Sequence, residues 1–251
     1  MQKNEVKEFY DNFLKSKMLE YRLYGNLRLE KAIARILPEV KKEDKVLDVG
    51  CGIGIVTEQI ANTAKKGHVW GIDISKKNIW YANRTIKKKN VDFFAGDIID
   101  DFEIINECIT TSLDVITMVD VIEHIPENAR PELFRKMRKI SANKALLILT
   151  YPSPEYQRYL QENNPAELQI IDNVIELHDL INEVREAGYY LRHYSLETVW
   201  MQNQYIHCIL QTENSLAPVP LKTRSLPIRV INTLKNPLRR KKYINDVFQQ
   251  G

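Results

Sequence analysis

Three groups of residues in this 251-residue chain are of types and spacings that could do chemistry. In VLDVGCGIG, residues 46–54, an apolar run ends in Asp48 and passes into Gly50, Gly52 and Gly54 before a helical segment. Alternate glycines let the backbone come close to a ligand, and a helix start supplies N–H donors. The spacing departs from the GxGxxG dinucleotide fingerprint, and an acid before the glycines would repel a pyrophosphate while suiting an ammonium group. A ligand bearing an amino acid fits this loop better than a dinucleotide does. Asp73 ends HVWGID about 20 residues later, where a carboxylate can take a ribose diol. On that residue alone, NAD and other adenosine cofactors are tied. Asp97 in FFAGD places a third acid at the next strand end, where an adenine amino group could donate to it.

The third group is DVIEHIP, which holds Asp120, Glu123 and His124 within five residues after an apolar run. His124 could take a proton from an acceptor hydroxyl with Glu123 orienting the imidazole, because an un-ionised alcohol or phenol is a poor nucleophile. The same three side chains could instead ligate a divalent cation such as magnesium, which would lower the acceptor's pKa. Or Glu123 and His124 could simply brace the strand end.

The elements that position these residues alternate short β-branched runs with helical stretches, the pattern of βαβ units and a parallel sheet. Strands are expected at Lys45–Val49, His68–Ile72, Val91–Phe94, Leu113–Val119 and Lys144–Leu149, with Tyr189–Tyr194 and Gln204–Gln211 as a closing pair. Helices are expected at Ile55–Thr63, Ser75–Lys88 (capped by Ser75), Asp101–Cys108, Asn128–Ile140 and Asp172–Glu186, the last stopped by Gly188. Before them, Tyr10, Phe13, Leu14 and Met18 mark one helix, and Leu27, Leu29, Ala32, Ile33, Ile36 and Leu37 mark a second that Pro38 closes. These first forty residues are expected to form a helical lid. Residues 151–169 follow the fifth strand at the carboxyl edge where open α/β sheets bind ligands, and read as a substrate-facing insertion. Tyr24, Tyr151 and Tyr156 are the candidate substrate contacts.

A hydrophobic content of 44% with 27% charged residues is that of a soluble globular chain, and no apolar run reaches the roughly 18 residues of a membrane span. Cys51, Cys108 and Cys208 form no CxxC pair, so neither a disulfide framework nor a thiolate zinc site is expected. With no apolar leader at the start, a cytoplasmic protein is expected. Residues 213–251 carry eight Lys and Arg against two acids and four of the ten prolines, which sets a domain boundary near Glu213. The run LKNPLRRKKYI suits an anionic membrane surface or a lipid-linked substrate, so peripheral membrane contact is open. Nucleic acid fits the tail's charge equally, but the body before it is net acidic.

Taken together, DVGCGIG, GIDIS at 71–75, AGD at 95–97 and DVITMVDVIEHIP at 114–126 resemble the class I S-adenosylmethionine (SAM)-dependent methyltransferases over roughly residues 20–211. The resemblance implies a Rossmann-like α/β fold whose seven-stranded, mostly parallel sheet ends in a reversed hairpin. It implies that Asp48 and the loop through Gly50, Cys51, Gly52 and Gly54 face the methionine moiety, that Asp73 and Ile74 take the ribose, and that Asp97 and Ile98 flank the adenine. NLRLEKAI at 26–33 and DVIEHIP are further similar to the ubiquinone-biosynthesis O-methyltransferases, which implies that Arg28 reaches the cofactor carboxylate and that Val119 borders the cofactor. The small-RNA 2′-O-methyltransferases share the acid and histidine pattern, but their downstream histidine has no clear counterpart in residues 151–169, His178 being the nearest later one. The expected activity is O-methylation of a small molecule or glycan intermediate. N-methylation, RNA 2′-O-methylation and a non-catalytic SAM-binding scaffold are the alternatives.

Overall fold

The computed structural model describes residues 19–213; the expected helix around Tyr10 and the basic tail lie outside the described residues. Seven strands form one sheet: β1 (Lys45–Val49), β2 (His68–Asp73), β3 (Val91–Ala95), β4 (Leu113–Val119), β5 (Ser141–Pro152), β6 (Tyr190–Glu197) and β7 (Tyr205–Gln211). Their order is β3-β2-β1-β4-β5-β7-β6. The first five run parallel, and β7 enters antiparallel between β5 and β6. This is the reversed final hairpin that the sequence motifs implied. The order reverses between β1 and β4, so the carboxyl ends of those two strands open the crevice in which such sheets take ligands.

The helices are α1 (Leu19–Tyr24), α2 (Leu27–Ile36), α3 (Ile55–Thr63), α4 (Lys76–Thr85), α5 (Phe102–Cys108), α6 (Arg130–Ile140), α7 (Pro154–Asn163) and α8 (Leu177–Glu186). Strand alternation divides the apolar residues between two layers. Leu47, Trp70, Ile116 and Leu147 face α5, α6 and α8, while Val46, Val69, Val115 and Ile148 face α2 and α3. Helix α2 belongs to the domain body, because Ala32 and Ile36, 2% and 0% exposed, are packed into the second layer. This part of the expected lid is thus packed against the second layer.

Caps fix where the helices start. Asn26, Ser75 and Ser153 accept from the backbone N–H groups of Leu29, Asn78 and Tyr156. Two boundaries differ from the sequence expectation. Strand β5 runs to Pro152, so the expected insertion begins inside the sheet and continues as α7. Helix α8 starts at Leu177 and not at Asp172, because the side chains of Asp172 and Asn173 are taken up in tying residues 169–173 to the end of β4. No helix of the described residues is long and apolar enough to cross a membrane.

Candidate functional site

The glycine loop leaves β1 with Gly50, Gly52 and Gly54 at φ of +69°, +54° and +81°. Side chains rarely adopt this left-handed region, and at Gly50 a Cβ would stand 2.3 Å from Val121 Cγ2. The loop thus lies against the segment that follows β4, which joins the first group of chemical residues to the third.

The acids sit at successive strand ends, as the motifs placed them. Asp48 is buried on β1, its two oxygens accepting from the hydroxyls of Thr57 (2.6 Å) and Thr117 (2.7 Å). Burial outweighs these bonds and pushes its carboxyl up to about 6. Asp73 at the end of β2 accepts from the backbone N–H of Gly52 and of Ser75, both at 2.8 Å, and from Asn78 Nδ2 at 3.1 Å. It therefore pins the glycine loop to the start of α4, a role that its spacing alone did not indicate. Asp97 is half-buried beyond β3 and accepts from the Ile99 and Asp100 N–H groups. Ile74 is partly exposed beside Asp73, while Cys51 is buried with its thiol toward the Gly52 carbonyl. The side chain of Ile98 is a member of the main core. Val119 closes β4 at 9% exposure, packed with the layer beneath α2.

Beyond β4 the chain turns sharply at Asp120, which takes φ of +55°. An aspartate tolerates this conformation better than most residues. Its Oδ2 lies 3.2 Å from Arg28 Nη1, and the same nitrogen donates to the Tyr205 hydroxyl at 3.3 Å. The guanidinium also lies over the Tyr205 ring. Burial would lower the Arg28 pKa, but Asp120 and Tyr205 overcome it and raise it. Two atoms of this pair, Arg28 Nε and Asp120 Oδ1, are buried without a hydrogen-bond partner. Buried polar atoms of this kind are costly unless something pairs with them.

Glu123 and His124 lie on the next short helical turn and are 2% and 12% exposed in their side chains. His124 Nδ1 donates to the Ile171 carbonyl at 2.6 Å and lies 3.1 Å from Asp172 Oδ1, while Nε2 faces Glu123 Oε1 at 3.8 Å. Burial favours the neutral imidazole, but Glu123 and Asp172 prevail and push it up to about 9. For Glu123 burial dominates and pushes the carboxyl up to about 7. Around neutral pH, therefore, the imidazole is cationic and the carboxylate more basic than usual. Asn173 clamps this turn from outside, donating to the carbonyls of Glu123 and Ile125. Asp172 and Asn173 escaped the sequence reading, since the pattern around them looks helical.

The magnesium reading of Asp120, Glu123 and His124 is not supported by this geometry. Among the described residues no three His, Cys, Asp or Glu side chains converge as metal ligands. Asp120 is turned to Arg28, and His124 Nδ1 to Ile171 and Asp172. Tyr151 is fully buried on β5, its hydroxyl without a hydrogen-bond partner; burial raises its pKa, and Glu123 is near enough for its carboxylate to add to that rise. Tyr156 is half-buried, with Tyr159 and Tyr205 as ring neighbours, whereas Tyr24 is 85% exposed. His178 is an exposed residue of α8. An open groove of about 570 Å³ lies between α1, α2 and the first turn of α3, lined among others by Tyr21, Gly25, Leu29, Ile55 and Glu58. It borders the helix that leaves the glycine loop but includes none of the strand-end acids.

With left-handed glycines, strand-end acids and sheet order in place, comparison with known proteins is decisive: the profile of the methyltransferase domain family matches residues 20–194. The chain belongs to this methyltransferase domain family. By fold and motif order the domain is a class I SAM-dependent methyltransferase, as the motifs implied. Over 89 residues it is 36% identical to a ubiquinone biosynthesis O-methyltransferase of Ralstonia nicotianae, a match covering 34% of each chain. Over 54 residues it is 41% identical to a malonyl-[acyl-carrier protein] O-methyltransferase of Bacillus anthracis, covering 22% of this chain and 20% of that one. The matched part of this methyltransferase domain thus spans about a third or less of these relatives' lengths. Its fold is shared with the magnesium protoporphyrin IX methyltransferase of Synechocystis PCC 6803, solved with bound SAH, at a TM-score of 0.65 and 14% identity over 84% of this chain and all of that one.

Proposed function

We propose that this methyltransferase transfers the methyl of SAM to a hydroxyl oxygen of a small molecule or glycan intermediate, with the acceptor's proton taken up at the Glu123–His124 pair. The observation that carries this reading is the juxtaposition of the two halves. The glycine loop packs on Val121, just before the turn that carries the Glu123–His124 pair, which supports a cofactor and a proton acceptor side by side. The oxygen acceptors named in the ubiquinone-biosynthesis and malonyl-[acyl-carrier protein] relatives support the choice of oxygen.

The residues present fit the cofactor. The loop's three left-handed glycines leave its backbone bare of side chains, and Arg28 Nε is a buried donor without a partner, suited to a carboxylate. Asp48 and the glycine loop would hold the methionine part, Asp73 and Ile74 the ribose, Asp97 and the backbone beside Ile98 the adenine, and Val119 the wall between them. Bound there, SAM supplies a methyl group that its sulfonium has already activated, so the protein's work is positioning and proton removal. Because Nδ1 of His124 is committed to the Ile171 carbonyl, proton exchange falls to Nε2 and to Glu123. Glu123 and His124 titrate as one pair, burial raising the carboxyl and the facing carboxylates raising the imidazole, so the acceptor's proton is taken up by the pair. Tyr156 is the remaining candidate for the acceptor's wall.

Transfer of labelled methyl from SAM to a panel of catechols, simple phenols, sugars and carboxylic acids tests the reading. Glu123→Gln is expected to lower turnover by about 10² to 10⁴-fold while leaving SAM affinity intact. Full turnover in that variant would reject the proton-acceptor role, and transfer to amines alone would reject the oxygen.

A further inference from the structure

The edge of the sheet opposite the crevice carries a charge pattern that methyl transfer does not use. Three loops, residues 40–44, 64–67 and 86–90, lead into β1, β2 and β3 and lie side by side along the amino ends of these strands. They hold seven lysines: Lys41 and Lys42 on the first, Lys65 and Lys66 on the second, and Lys87 through Lys89 on the third. Residues 19–213 as a whole carry 24 Lys and Arg against 29 Asp and Glu, so this concentration runs against the charge of the body.

Beside the seven lysines stand the acids Glu43, Asp44, Asp92 and Asp114, the last accepting from the Lys45 N–H at 2.9 Å. The acids on the three loops are Glu43, 3.8 Å from Lys66 Nζ, and Asp44, which is buried and accepts from the Lys41 backbone N–H. Asp92 nearby is paired with His68 at 2.8 Å. Lys87 and Lys88 donate to neutral oxygens, the Asn83 carbonyl and Asn62 Oδ1. The lysines stand on a fixed frame: the Lys66 and Gly67 N–H groups donate to the Lys42 carbonyl, and Asn90 Nδ2 donates to the carbonyls of Ala61 and Ala64. Adjacent strands lie about 4.8 Å apart, so the three loops span roughly 10 Å.

We propose that this lysine edge docks the protein on an anionic phospholipid surface, with the crevice at the far ends of the strands turned toward water. The three loops contain no arginine and no aromatic residue. They therefore offer neither the forked hydrogen bonds nor the stacking surfaces by which proteins grip nucleic acid strands. Ammonium groups on a rigid edge respond instead to charge density over an area, which anionic headgroups supply. Strands of five residues are about 16 Å long, so a docked protein receives its acceptor from the aqueous side. None of these lysines belongs to the basic run in residues 213–251, so removing edge lysines alone tests the edge apart from that run.

Sedimentation of the full chain with vesicles tests this, using phosphatidylcholine alone or with about 30 mol% phosphatidylserine, at low and high salt. Binding is expected to the anionic vesicles only and to weaken with salt. The triple variant Lys65→Gln, Lys66→Gln, Lys89→Gln is expected to lose about fivefold per lysine, near 10²-fold in all, with SAM affinity unchanged. Wild-type affinity of the triple variant, or failure of the wild type to bind anionic vesicles, would overturn the proposal. So would duplex DNA or tRNA that binds more tightly than vesicles and shows the same loss in the variant, which would make the edge a nucleic-acid surface.

Discussion

Replacing Asp172 by asparagine removes one charge from beside His124 and keeps the side chain's shape. Burial by itself would lower the imidazole pKa, yet it stands at about 9 because two carboxylates face it, Glu123 at 3.8 Å from Nε2 and Asp172 at 3.1 Å from Nδ1. Against an ordinary imidazole near 6.5 that is about 300-fold tighter proton binding, or roughly 3.4 kcal/mol. Asp172 is the nearer of the two, so its loss is expected to weaken proton binding at least about tenfold. The backbone bond from Nδ1 to the Ile171 carbonyl remains, so the ring keeps its place and only the electrostatics change. The assay is a two-dimensional nitrogen–proton NMR titration of protein labelled on its five histidines, with the His124 signal assigned by its absence in His124→Gln. The expected result is a downward move of the His124 midpoint by about one pH unit. An unchanged or raised midpoint would refute the reasoning that Asp172 holds the charge on His124.

Stability should fall with alkaline pH. A group raised in the folded state contributes stability that is complete below its unfolded value and is lost as pH passes its folded value, which for His124 means a loss between about 6.5 and 9. Asp48, raised to about 6, acts in the same sense at lower pH. The urea midpoint should drop between pH 7 and 9.5 by the equivalent of roughly 1–3 kcal/mol, and a rise would count against the assignment. Gly50→Ala combines left-handed strain with a Cβ 2.3 Å from Val121, so a loss of about 2–4 kcal/mol in chemical unfolding is expected together with loss of SAM binding. Retention of both would mean that the loop is not the cradle. Arg130 is 3% exposed and grips both oxygens of Glu183 from α6, so Arg130→Met should cost about 2–4 kcal/mol without altering SAM affinity at permissive temperature. Asp73→Ala leaves the Gly52 and Ser75 N–H groups without their acceptor and should weaken SAM binding at least tenfold by calorimetry, roughly 1.4 kcal/mol or more.

What the sequence made legible was whatever local rules control. The limits of β1 and β4, the cap at Ser75 and the stop at Gly188 follow from periodicity, a hydroxyl cap and glycine's tolerance of positive φ, whereas the cap at Asn26 went unread. The strand-end acids were legible because each closes an apolar run. What escaped depends on contacts distant in sequence. Asp172 sits 48 residues beyond His124, and nothing local marks it as that residue's partner or says that Asn173 will bond the carbonyls of Glu123 and Ile125. From the sequence, Tyr151 reads as opening an insertion after the fifth strand, whereas it lies buried within β5. Which face it turns to is set by the register of β5 against β4 and β7, which no single strand reveals. The polarity of the Glu123–His124 pair likewise depends on burial, which residue spacing does not encode.

The central claim is that the glycine loop and the strand-end acids form a SAM site, and calorimetric titration of the full chain with SAM, and separately with NAD, tests it most directly. Saturable SAM binding at micromolar affinity with no heat from NAD is the predicted result. Binding of NAD, or no binding of SAM, would contradict it.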